Sequence, residues 1–98
     1  MSSQAREIRW IKPALDLFLE ESQDPEKDME AVFAVLIYIR DHPDDEEERL
    51  LIEKDGHSQL QAIEGEVFVS YDSHWEIYYS WLPAEITIVL VEPIGRKK

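Results

Sequence analysis

The segment Ile86-Thr87-Ile88-Val89-Leu90-Val91 constrains this chain more than any other, because both of its alternating residue sets are apolar. A half-solvated strand alternates apolar with polar residues. One that is apolar at Ile86, Ile88 and Leu90, and again at Val89 and Val91, has to be covered on both faces and so lies inside its sheet. Strand readings extend upstream: "EVFVSY", a turn at "DSH", "WEIYYSW", a turn at "LPAE", then "ITIVLVE". These predict an antiparallel meander in the second half of the chain.

The first half reads differently. "EIRWIK" predicts a short strand with Ile8 and Trp10 on one face. Pro13 suits a first helical turn, and "PALDLFLEES" follows with Leu15, Phe18 and Leu19 as the apolar side. A break at "SQDPEKD" precedes a second helix over residues 25 to 41, with Asp24 as N-cap and Pro25 at its start. Met29, Val32, Phe33, Leu36 and Ile37 fall at helical spacing there, and Val35, Tyr38 and Ile39 widen the stripe. Pro43 ends it. For "DDEEERLLIEKDGHSQLQAI" two readings stay open, a short helix followed by a strand, or a hairpin. The hairpin is preferred because Asp55-Gly56 favours a type I′ turn. The expected class is α+β: a short N-terminal strand, two helices, then an antiparallel meander in one domain over residues 1–98.

Charge limits the partners. The formal net charge is −12, and residues 20–55 alone carry −10. No Lys or Arg occurs between Lys54 and Arg96, so the β-rich half lacks the side chains that hold phosphate backbones or anionic lipid. With no Cys, disulfides and thiolate metal sites are excluded. The N-terminal residues lack the basic-then-apolar run of a secretory signal, and no apolar stretch approaches the ~18 residues of a membrane span. The expectation is a cytoplasmic protein with no membrane partner, no direct nucleic-acid binding and no cofactor or metal.

The element order, together with "VFVSYDSHWEIYYSWLPAEITIVLVEPIGRK", resembles the RelE/ParE toxin superfamily. There a strand leads through a tight turn into a strand ending in an aromatic, and a last strand runs into Gly and basic residues. The resemblance implies a compact microbial protein from a toxin–antitoxin setting, with ribosome-dependent mRNA cleavage or gyrase inhibition as the family activities. It also implies Arg or Lys on the meander, where this chain has Ser70 and Glu76. Tyr78 or Tyr79 matches the family's strand-end tyrosine, and Arg96, Lys97 and Lys98 match its basic C-terminus. Glu in place of a substrate-gripping Arg repels RNA, so the resemblance implies a retained fold with a silenced site, in which Tyr79 and Arg96 are the remaining catalytic candidates.

Other chemistry is sparse. His42, His57 and His74 all fall in loops or turns, and an acid–base pair of one of them with Glu64 or Glu76 competes with plain exposed histidines. The acids at positions 41 and 44–48 lack the spacing of a calcium loop and read as a solvated charge run. On "WEIYYSW", Trp75, Ile77, Tyr79 and Trp81 share one face, expected to pack on the helices. Tyr78, with Phe68 and Ser70 of the neighbouring strand, is expected to look outward. The function expected is a protein-interaction module. Tyr78 and Phe68 supply the contact, and Asp44, Asp45, Glu46, Glu47 and Glu48 steer a basic protein, a small antitoxin-like protein or a second copy. The alternatives are an active endoribonuclease and an acidic mimic of nucleic acid.

Overall fold

The computed structural model describes residues 6–42, 50–72 and 74–94. The chain runs β1 (Glu7–Trp10), α1 (Lys12–Glu21), α2 (Pro25–Asp41), β2 (Leu50–Ile52), two 3-10 turns (Lys54–Gly56 and Ser58–Leu60), β3 (Val67–Tyr71), β4 (Trp75–Trp81) and β5 (Glu85–Pro93). The class is α+β, in the order read from the sequence. One five-stranded sheet is ordered β1-β5-β4-β3-β2; β1 lies parallel to β5 and every other neighbouring pair is antiparallel.

Local chemistry accounts for the helices. In α1 the first turn takes Pro13, and the Ser22 amide closes the last turn on the Phe18 carbonyl at 2.9 Å. Asp24 caps α2 by accepting from the Lys27 amide, and Glu26 and Asp28 sit at the positive end of its dipole. Val32, Leu36 and Ile39 are the buried line of α2, flanked by half-buried Met29, Phe33 and Val35. Ile37 and Tyr38 are exposed, as is Leu19 of α1. The apolar stripes are therefore narrower than their composition suggests: Ile37 lies about 100° around the helix from Leu36, outside the stripe.

β5 is interior and buried on both faces, and one residue makes that possible. Ile88 pairs with Tyr79 and Leu90 with Tyr78, so Val89 is an extra residue in the ladder. This bulge resets the alternation of β5. Before it Ile86 and Ile88, and after it Val91, join Trp75, Ile77 and Tyr79 in a cluster with Phe18, Val32, Leu36 and Ile39. Val89 and Leu90 join Tyr78, Val67, Val69 and Leu60 in a second cluster, edged by Ile11, Leu17, Ile52 and Ile63. Phe18 sits between two indoles, 5.1 Å from Trp75 and 5.3 Å from Trp10, in the tilted geometry aromatic pairs favour.

The expected hairpin of residues 50–63 does not form. β2 pairs with β3 instead, and the chain after Ile52 winds through the two 3-10 turns. A type I′ turn needs positive φ at both central residues, and among the described residues only Gly65 has it, at 82°. The 3-10 route is tied down by Lys54, whose ammonium donates to the carbonyls of Ile63 and, at 2.7 Å, of Gly65. It delivers Leu60, fully buried, onto the second cluster.

Leu36→Ala should cost about 2–5 kcal/mol by chemical denaturation, the range for truncating a packed core leucine. Leu19→Ala should stay within about 0.5 kcal/mol of the parent. Equal losses would mean that α1 packs on a different side.

Candidate functional site

The strand β4 separates the residues that the sequence suggested as a site. Tyr79 is fully buried, and its hydroxyl shares a 2.9 Å hydrogen bond with Ser70. Phe68 pairs with Tyr79, and its ring lies 6.2 Å from that of Tyr79. Tyr78 and Glu76 belong to the opposite face. Phe68 and Ser70 thus lie on the Tyr79 side, because the register pairs Val69, not either of them, with Tyr78.

Tyr78 does not look outward. It is 5% exposed, among Leu60, Val69 and Leu90. Its hydroxyl donates to Glu76 Oε1 at 3.1 Å, and the His57 ring stands 5.4 Å from its own, tilted by 55°. In the ladder Glu76 has Tyr71 on one side and Glu92 on the other. Burial, first, and then the Glu76 and Glu92 charges push the Tyr78 hydroxyl well above the ordinary phenol range. A phenol held protonated is a hydrogen-bond donor, not a base. Its visible work is to hold Glu76.

The histidines are dispersed. His42 stacks on Tyr38 at 4.1 Å and brings Nδ1 within 2.8 Å of the Tyr38 carbonyl oxygen. His57 stands beside Tyr78, whose hydroxyl holds Glu76. His74 lines an open groove of about 500 Å³ with Asp24, Lys27, Asp28 and Asp72. The acids of that groove already serve the backbone and turns. Asp72 accepts from the amides of His74 and Trp75 at 2.7 and 2.6 Å, Asp28 accepts from the Ser22 hydroxyl, and Asp24 caps α2. Among the described residues no three His, Asp or Glu side chains are grouped to hold a metal ion. Asp44, Asp45, Glu46, Glu47, Glu48 and Arg96 lie outside the described residues.

A different surface stands out at the β2 end of the sheet. Leu50 is 52% exposed, Leu51 58% and Tyr71 50%. Leu50 pairs with Val69, continuing the Tyr78 face outward; Leu51 pairs with half-buried Phe68, continuing the Tyr79 face. Both apolar faces of the sheet therefore run out to one edge. The opposite edge is unlike it: β1 presents Glu7 and Arg9, with Arg9 between Glu7 (4.0 Å) and Glu85 (3.8 Å). Charge of that kind is the usual protection of a sheet edge. Reading residues 50–63 as a hairpin gave Leu50 and Leu51 a strand partner they do not have; their adjacency to an acidic run was the available signal.

Compared with known proteins, the chain matches no family model, and neither a curated protein nor a solved structure is similar enough to count as a match. No helix among the described residues is long and apolar enough to cross a membrane.

Tyr78 gives a pH test. Its folded pKa is raised, so the stability it contributes is complete below the unfolded value of about 10 and falls as pH rises above it. Above about pH 10 the parent should lose up to about 1.4 kcal/mol per pH unit through this group, a component absent from Tyr78→Phe. Urea denaturation of both proteins across that range measures the difference. Parallel stability–pH curves would contradict the placement of the hydroxyl.

Proposed function

We propose that this chain is a catalytically silent protein-interaction module of RelE/ParE-like build, acting in the cytoplasm on a protein partner of basic character. The element order and the terminal meander support the resemblance. The observation that carries the functional reading is the edge strand β2, whose Leu50 and Leu51 are more than half exposed beside exposed Glu53, Asp55 and Glu66. Apolar side chains rimmed by charge mark an interaction surface more often than solvent-facing decoration. A small antitoxin-like protein with basic residues is the partner the resemblance suggests.

The placement of Tyr79 and Glu76 supports the reading of a silent site. Tyr79, fully buried and bonded to Ser70, has no path to a phosphodiester, and Glu76 is on the other face, engaged by Tyr78. The Tyr78 ring is covered too, which supports the β2 edge rather than that ring as the contact.

A photo-crosslinking residue in place of Leu51 should trap a discrete protein adduct in cells, whereas the same residue in place of exposed Glu20 should not. The purified protein should leave mRNA intact on translating ribosomes. Equal labelling at both positions would remove the edge as the contact. Cleavage that disappears in Tyr79→Phe would replace the module with a nuclease.

A further inference from the structure

We infer that the β2 edge binds its partner by strand addition: an extended segment alternating apolar residues with Lys or Arg pairs along Leu50–Ile52 as a sixth strand. The inference rests on the interaction-module reading and specifies its mode and occupant. β2 has a neighbour on one side only, β3, in the sheet order of the described residues. Successive residues of an antiparallel strand send their N–H and C=O groups to alternate sides. Part of the β2 backbone therefore points at β3 and part points away, offering donors and acceptors to an incoming strand. Leu50 on one face and Leu51 on the other give that strand apolar contacts above and below the sheet, with Tyr71 extending the Leu50 side.

Charge selects the occupant. Glu53 and Asp55 follow β2 directly, and Glu66 precedes Val67, the residue paired with Ile52; all three are exposed. Lys54, the cation among them, has its ammonium committed to the carbonyls of Ile63 and Gly65. Upstream the sequence supplies Asp44, Asp45, Glu46, Glu47 and Glu48 against one cation, Arg49. A second copy would bring a chain of formal net charge −12 against another of the same sign. A basic strand meets the opposite sign, and the same field that repels copies speeds its approach.

Two synthetic peptides of about ten residues test this, one alternating Val with Lys and the other Val with Glu, titrated into the isotopically labelled full chain. The Lys peptide should shift the amide signals of Leu50, Leu51 and Ile52 and slow hydrogen exchange at the outward-pointing ones. It should bind at least about tenfold tighter than the Glu peptide, with the advantage shrinking between about 50 and 300 mM salt. N-methylation of alternate peptide amides should abolish binding at unchanged charge, as should Leu51→Arg in a chain whose circular dichroism matches the parent. Binding that survives N-methylation, or shifts that centre on the groove around Asp28, would overturn strand addition. Equal affinity for the two peptides would overturn the charge selection, and a concentration-dependent dimer indifferent to the Lys peptide would assign the edge to a second copy. In each of those cases a retained Leu51 crosslink in cells would leave the interaction module standing, so the two failures are told apart.

Discussion

The extra residue at Val89 is the constraint on which the rest of this structure depends. A strand of period two can serve a buried face and an open one without interruption. Here Ile86 and Ile88 must meet Phe18 and Leu36, while Leu90 must meet Leu60 and Tyr78, and Val91 must return to the first set. Only a one-residue slip within the apolar run of residues 88–91 in β5 satisfies both clusters. The apolar sequence of β5 thus encodes a bulge as well as burial on two sides.

Covering both faces of the central strands has a functional consequence. The aromatic side chains of β4 that would make an attractive binding face are spent on the core: Trp75, Tyr78 and Tyr79 are each 5% exposed or less. The Trp75 Nε1 donor is even buried without a hydrogen-bond acceptor, a cost tolerated inside tight aromatic packing. What remains unsatisfied is the rim of the sheet. At β1 the rim is protected by Glu7 and Arg9, and Arg6 locks that end by donating to the Leu82 carbonyl and lying 4.3 Å from the Trp81 ring centre. At β2 the rim is three apolar residues long, and its protection is carried by the flanking acids Glu53, Asp55 and Glu66.

The legible parts of the fold were those with local signals. Asp24 and Pro25 marked the start of α2, and the turns after Tyr71 and Trp81 marked the meander; all are where the sequence places them. Illegible parts were those decided by distant contacts. Asp55-Gly56 is a good local hairpin signal, and it lost to Lys54 binding the carbonyls of Ile63 and Gly65 and to Leu60 filling a site under β3 and β4. Leu60 carries no mark in sequence that it caps Tyr78, so the Tyr78 face looked open when read strand by strand. The site suffered from the same omission: with β2 paired in a hairpin, no edge was left to find.

Residue-resolved amide hydrogen exchange of the isolated protein tests the central claim most directly. With both faces closed and the β2 rim open, amides of β4 and β5 from Ile77 to Tyr79 and from Ile88 to Val91 should exchange only through global unfolding. Within Leu50–Ile52, amides directed at β3 should be protected and those directed away should exchange at nearly free rates. Fast exchange in β5, or protection of every β2 amide in the protein alone, would contradict the account.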